Sequence, residues 1–155
     1  MFFLKLAIGV LAVATVTFAA RQKCKKLYLE YAFFNALTEY LKAVKSSVGY
    51  KKAKISEITV DDEEFKGFLC DFSHSGNPSD LNVPDYLTEA EKLKISAVFS
   101  LIVSSDAITL REALNGYIDD FTDLAEEKRQ NYVKRKPVYL KVGFSVGLML
   151  LIMVM

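Results

Sequence analysis

The sequence is poor in the residues that enzyme and cofactor sites most often use. Its 155 residues include one histidine, His74, and two cysteines, Cys24 and Cys70. The cysteines lack metal-like spacing, and His74 has no cysteine or carboxylate at ligand spacing. Gly67 and Gly76 belong to no glycine-rich, phosphate-binding motif. We therefore expect no catalytic residue, no metal and no cofactor, and we predict that the protein is not an enzyme.

Charge is nearly absent from both ends of the sequence. Segment 1–20 contains one charged residue, Lys5, and segment 138–155 contains one, Lys141. The net charge of +1 argues against nucleic-acid binding, which needs a concentrated excess of Lys and Arg. The segregation of apolar residues predicts a transmembrane helix at 1–20, a domain at 21–137 and a second transmembrane helix at 138–155.

Basic residues on the inner flanks of both apolar segments favour an orientation with the domain in the cytoplasm and both termini outside. A cleaved signal peptide is the alternative for the first segment, because Lys5 precedes its apolar core and "TFAA" offers small residues for cleavage. A buried helix of the central domain is the alternative for the second. The flanking residues are Arg21, Lys23, Lys25 and Lys26 on one side and Lys134, Arg135, Lys136 and Lys141 on the other.

The C-terminal apolar segment contains a G-x-x-x-G motif. Gly143 and Gly147 lie four residues apart with Ser145 between them, and small residues at this spacing let two helix backbones approach closely. Thr15 and Ala19 form a weaker pair in the first segment. We expect helix association within the membrane, including homo-oligomers, although glycine is common enough in membrane helices for a chance occurrence.

The middle of the chain has the pattern of a helical bundle. Apolar residues recur at heptad spacing from Leu27 to Val48 and predict a long amphipathic helix that ends near Gly49. A matching stripe from Leu110 to Leu124 predicts a second long helix packed against the first. No segment alternates over enough residues to require a strand, so the predicted fold is an all-α antiparallel bundle.

Shorter helices are predicted between the two long ones. Asp61 is a candidate N-cap with Glu64 three residues later, and Thr88 with Glu91 forms a capping box. The segment "HSGNPSDLNVPDY", which begins at His74, is predicted to be a loop. The helix after Thr88 has apolar residues on more than one face and is the expected central helix; these residues are Leu93, Ile95, Val98, Phe99 and Ile102.

Two groups of charged residues are candidates for contact with a partner. The acidic residues at 61–64 and at 119–127 are more simply interpreted as solvated faces than as acid–base catalysts, because no apolar pocket accompanies them. Lysines follow the membrane-distal end of the first long helix, and complementary charge there would set encounter rate and specificity. The predicted docking residues are Lys51, Lys52, Lys54, Asp61, Asp62, Glu63 and Glu64.

Together, these segments resemble stage III sporulation protein AB of endospore-forming bacteria. The resemblance covers almost the whole chain and is most specific in "LTEAEKLKISAVFSLIVSSD" and "LKVGFSVGLMLLIMVM". Where the family often has Phe-Gly and Leu-Gly pairs, this chain has Val98-Phe99 and Ile102-Val103. "KKAKIS" replaces a Thr-Pro-Leu after Tyr50.

Members of that family are similar to the cytoplasmic domain of the inner-membrane platform protein of type II secretion and type IV pilus systems. The resemblance implies a non-enzymatic scaffold subunit of the mother-cell-to-forespore channel. Its implied partners are a cytoplasmic ATPase like stage III sporulation protein AA and the other membrane subunits of the channel. The alternative function is an exported helical binding module with a cleaved signal peptide and a C-terminal anchor. An intramembrane enzyme is disfavoured because Lys5 and Lys141 lie near the membrane interfaces.

Overall fold

Every regular element that the computed structural model describes is an α-helix. The described residues are 2–50, 62–75 and 81–154. The prediction of an all-α fold is confirmed. The helices are α1 (Phe2–Tyr50), α2 (Glu63–Ser75), α3 (Glu89–Ser104) and α4 (Ala107–Val154).

The chain divides into two compact units. The first consists of Met1–Leu29 with Lys128–Met155, and we call it the helix pair. The second consists of Glu30–Glu127, and we call it the bundle. Because α1 and α4 are each continuous, both helices contribute to both units. The boundaries predicted from charge, after residues 20 and 137, fall inside these helices.

Pro137 lies within α4, at the point where the highly charged part of the helix gives way to a part with one charged residue, Lys141. Proline has no backbone N–H, so residue 137 cannot donate the usual hydrogen bond to the carbonyl of Val133. Across residues 2–50, 62–75 and 81–154, none of the helices offers a continuous apolar stretch of the length and hydropathy that crossing a membrane requires. The spans at 1–20 and 138–155 stay predictions.

An aromatic core holds the bundle together. Phe34 of α1 stacks on Phe121 of α4 with ring centroids 6.0 Å apart, which confirms that the two predicted amphipathic stripes pack together. Leu41 and Leu114 from the same stripes are fully buried. The buried aromatic side chains come from all four helices and are Phe33, Phe34, Tyr40, Phe65, Phe68, Phe99 and Phe121.

The α3 helix crosses this core but buries only one face. Phe99 lies edge-on to Phe72 and Phe68, at centroid distances of 4.8 and 5.3 Å, and stacks on Tyr40 at 5.9 Å. The expectation that Leu93 belongs to the covered surface is wrong, because its side chain is 71% exposed. The inward face consists of Ile95, Val98, Phe99 and Ile102.

Two local predictions about α2 are corrected by the structure. Its N-cap is Asp62 rather than Asp61, because the Phe65 backbone N–H donates to Asp62 Oδ1 at 2.9 Å. Asp61 lies outside the described residues. His74 belongs to the last turn of α2 rather than to a loop, and its Nδ1 atom is 2.8 Å from the Cys70 carbonyl oxygen.

The predicted capping box at the start of α3 is confirmed. The Glu91 N–H donates to Thr88 Oγ1 at 3.3 Å, and the Thr88 N–H donates to Glu91 Oε2 at 2.8 Å. Replacing Thr88 by alanine should lower the free energy of unfolding by about 1 kcal/mol, because one donor of the first turn loses its acceptor. Urea unfolding of the full chain in mild detergent, followed by circular dichroism, measures this loss. Thr88→Ser keeps the hydroxyl and should stay close to wild type.

Candidate functional site: the basic collar and the acidic cleft

In the helix pair, α4 packs against α1 through Gly143 and Gly147. A Cβ atom added to Gly143 would lie 3.0 Å from the Ala20 Cβ atom, and one added to Gly147 would lie 3.1 Å from Val13 Cγ1. These distances are shorter than ordinary van der Waals contacts, so the backbones approach closely only because both positions are glycine.

The other residues expected at such a contact lie elsewhere on the two helices. Ser145 is exposed, as are Thr15 and Ala19. The face of α1 that meets the glycines instead contains Val13, Val16 and Ala20. The G-x-x-x-G motif is thus occupied within one chain, by the opposite helix of the same helix pair.

Towards the two chain termini, the described outer surface of the helix pair is apolar. Phe18 on α1 is 63% exposed, and Phe144 on α4 is 59% exposed. No charged residue occurs between Leu6 and Ala20 or from Val142 onward. Contiguous exposed apolar surface of this kind marks a site of contact with a membrane or another protein. The other large apolar side chains exposed here are Val10, Leu11, Val138, Leu140, Val142, Val146, Leu148, Met149, Ile152 and Met153.

Two basic segments that are far apart in the sequence come together beside this apolar surface. The Cys24 Sγ atom donates to the Lys136 carbonyl oxygen at 3.9 Å, although the residues are 112 positions apart. The centroids of the Tyr28 and Tyr132 rings lie 5.6 Å apart. We call the group the basic collar: Arg21, Lys23, Lys25, Lys26, Lys134, Arg135, Lys136 and Lys141, with Tyr28, Tyr132 and Tyr139.

Tyrosine rings hold two of the collar's ammonium groups, one on each helix. Lys23 Nζ lies 5.9 Å from the centroid of Tyr139. Lys136 Nζ lies 5.0 Å from the centroid of Tyr132 and donates a 2.8 Å hydrogen bond to its hydroxyl oxygen. That hydrogen bond raises the pKa of Lys136, so its side chain stays cationic at neutral pH. All eight basic side chains of the collar are exposed.

The net charge of +1 conceals a strong division of charge between the two units. Met1–Leu29 and Lys128–Met155 together contain eleven Lys and Arg and no Asp or Glu, which gives the helix pair a formal charge of +11. Glu30–Glu127 contains nine Lys and Arg and nineteen Asp and Glu, which gives the bundle −10. Each unit therefore attracts ligands of opposite sign.

The bundle contains an acidic cleft of about 400 Å³ between α2 and the segment that leads to α3. Its lining includes the carboxylates of Glu64, Asp71 and Asp85. The Tyr86 hydroxyl also lines it and donates to Glu64 Oε1 at 2.9 Å. Burial raises the pKa of Tyr86, and the hydrogen bond to Glu64 raises it further, so this hydroxyl remains a donor.

The predicted docking residues have different surroundings. Lys51, Lys52, Lys54 and Asp61 lie outside the described residues. Asp62 caps α2 and Glu64 lines the acidic cleft, whereas Glu63 is exposed in the first turn. In the other predicted acidic group, Asp119, Asp120 and Asp123 are exposed on α4, and Asp120 Oδ2 lies 3.9 Å from Lys94 Nζ.

Sequence reasoning missed the three collar tyrosines and the cleft. Tyr28, Tyr132 and Tyr139 each lie within a few residues of a basic cluster at the edge of an apolar segment, which is the pattern of an aromatic belt and could have identified them. Asp71 and Asp85 have no comparable signal, because only the fold brings α2 next to the segment before α3.

No protein-family model, curated protein or solved structure matches this chain at a significant level.

Proposed function

We propose that this chain is a non-enzymatic scaffold that is anchored in a membrane by its helix pair and presents its bundle to a cytoplasmic ATPase. The resemblance to stage III sporulation protein AB supports the sporulation channel, on the mother-cell side, as its setting. In that setting the ATPase is like stage III sporulation protein AA, and other channel subunits share the membrane.

The observation that carries this proposal is the position of the basic collar at the edge of the exposed apolar surface. Apolar side chains that are unfavourable in water are accommodated in lipid, and Lys and Arg at the end of such a surface favour the cytoplasmic face. Tyrosines such as Tyr28 and Tyr139 prefer the same depth, where the ring is apolar and the hydroxyl is hydrated. Exposed apolar side chains thus give way to cations interspersed with tyrosines, which is the composition expected at a membrane interface.

The charge of the bundle supports docking of a cationic surface. An excess of carboxylates steers a basic partner by long-range attraction and sets specificity more than affinity. The acidic cleft, with Glu64, Asp71 and Asp85, is the described part of the bundle that best fits such a partner. Lys51, Lys52 and Lys54, which follow the first long helix in the sequence, are the proposed second contact, of opposite charge, for acidic residues of the ATPase.

We expect both termini to be extracytoplasmic and the first apolar segment, 1–20, to be retained in the mature protein, because basic residues flank the inner side of both apolar segments. The full chain should float with lipid vesicles in a density gradient. Protease added to intact cells should leave 21–136 uncut, and the same protease should digest this segment in inverted vesicles. A mature N-terminus at Ala20 or Arg21 would show instead that the first segment is a cleaved signal.

Reversing the charges of Lys51, Lys52 and Lys54 to glutamate should weaken binding to the ATPase, in a way that added salt diminishes, because charges at the edge of a contact act mainly on encounter. Co-purification of the full chain with the ATPase over a series of salt concentrations measures this change. Circular dichroism of the variant controls for folding. Unchanged binding by this variant, together with loss on substituting Lys23, Lys25 and Lys26, would place the docking surface at the membrane-proximal end.

A further inference from the structure

The cations of the basic collar have no acidic neighbour within the helix pair. Neither Met1–Leu29 nor Lys128–Met155 contains an aspartate or glutamate. Among the described residues, none of the eight basic side chains of the collar forms an ion pair. Eight exposed cations of one sign repel one another, so a multivalent anionic surface would stabilise their arrangement.

The collar tyrosines add apolar ring faces and hydroxyl groups to the cations. Tyr139 positions Lys23, and Tyr132 positions Lys136, so two ammonium groups from opposite helices are held beside rings that have both apolar faces and a hydroxyl. Ammonium, guanidinium and phenol groups are donors that suit phosphate oxygens. Val138 and Leu140 are exposed directly beside them. A ligand that matches both the hydrogen-bond donors and the adjoining apolar side chains has an anionic phosphate joined to an apolar group.

We infer that the basic collar binds the headgroup phosphates of anionic phospholipids, with phosphatidylglycerol as the representative headgroup. The inference rests on the membrane anchoring proposed above and adds a lipid preference to it. A free phosphate ion would use the cations but would leave the adjoining apolar side chains without a role. The bilayer surface supplies both the charge and the apolar phase, and each Lys or Arg near an anionic surface strengthens binding roughly fivefold.

The test uses the full chain reconstituted in phosphatidylcholine bilayers with a trace of spin-labelled lipid. The fraction of label with restricted motion gives the relative association constant of phosphatidylglycerol against phosphatidylcholine. We expect the wild type to prefer phosphatidylglycerol by roughly tenfold or more, and the K23Q/K25Q/K136Q variant to lose at least about fivefold of this preference. The matched variant K42Q/K45Q/K66Q removes the same charge from the bundle and should keep the preference.

Different outcomes separate this inference from the proposed function. The lipid preference is overturned if the wild type restricts the motion of both labelled lipids equally. It is also overturned if the two variants lose the preference for phosphatidylglycerol to the same extent. Either result leaves membrane anchoring intact. Failure of the wild-type chain to enter the vesicles overturns anchoring and the lipid preference together. Displacement of the labelled phosphatidylglycerol by millimolar inorganic phosphate at constant ionic strength would show a free-anion site and overturn the assignment to lipid.

Discussion

Replacing Phe99 by alanine should lower the free energy of unfolding of the bundle by about 3–5 kcal/mol, a large part of the 5–15 kcal/mol that holds a typical domain folded. Phe99 is fully buried and contacts three aromatic rings, Tyr40, Phe68 and Phe72, from two other helices. Truncation removes these contacts and leaves a cavity that rigid neighbouring rings cannot fill by small movements. Chemical unfolding of the full chain in mild detergent, followed by circular dichroism, measures the loss.

Leu93→Ala is the matched control for this experiment. Leu93 lies on the same helix, but its side chain is 71% exposed, so its truncation should change the free energy of unfolding by less than about 0.5 kcal/mol. Phe99→Leu keeps most of the volume and should fall between the two. Equal losses for Phe99→Ala and Leu93→Ala would contradict the assignment of one buried and one solvated face to α3.

Replacing Gly143 by leucine should expose Cys24 to alkylation. The added side chain has no room, because even its Cβ atom would lie 3.0 Å from Ala20 Cβ, so α4 must move away from α1. Cys24 is buried one turn along α1 from Ala20, with its Sγ atom against the Lys136 carbonyl. Overpacking of this kind costs about 1–3 kcal/mol, so the alkylation rate of Cys24 should rise by roughly fivefold to a hundredfold.

The chain contains its own controls for this measurement. Cys70 is exposed on α2 in the bundle, so its alkylation rate should be the same in wild type and variant. Gly116→Leu adds the same side chain to α4 at a position where a Cβ atom would meet nothing within 4 Å, and it should leave Cys24 protected. If Gly143→Leu left Cys24 as slow to react as in wild type, the close contact through the glycines would be refuted.

The sequence was sufficient to predict the all-α fold and most of the core of the bundle, but not that α1 and α4 each continue from an apolar segment into the bundle. Heptad spacing identified the stripes that meet at Phe34 and Phe121, and Thr88 with Glu91 marked the start of α3 to the residue. These features are local or periodic, so neighbouring residues specify them without knowledge of the fold. The burial of Leu93 was predicted wrongly because α3 has apolar residues on more than one face. Its sequence pattern therefore does not show which face the other helices cover.

The candidate site was less predictable because it depends on long-range contacts. Each basic segment was visible, but their convergence beside Cys24 and Lys136 requires α1 and α4 to pair over 112 positions of sequence. The choice between Asp61 and Asp62 as N-cap could not be made from composition either, because adjacent aspartates cap equally well until the register of α2 is fixed. Likewise, the glycine motif indicated close packing but not that the partner helix belongs to the same chain.

The division of charge between the helix pair and the bundle has a consequence for the purified protein in solution. A chain with a block of +11 and a block of −10 can pair with a second copy, the positive block of one molecule against the negative block of the next. We expect such head-to-tail oligomers to form at low ionic strength and to dissociate as salt shortens the screening distance to about 8 Å at physiological strength. Oligomers that vanish on adding salt would therefore report this attraction, and only salt-resistant ones would indicate a packed subunit interface.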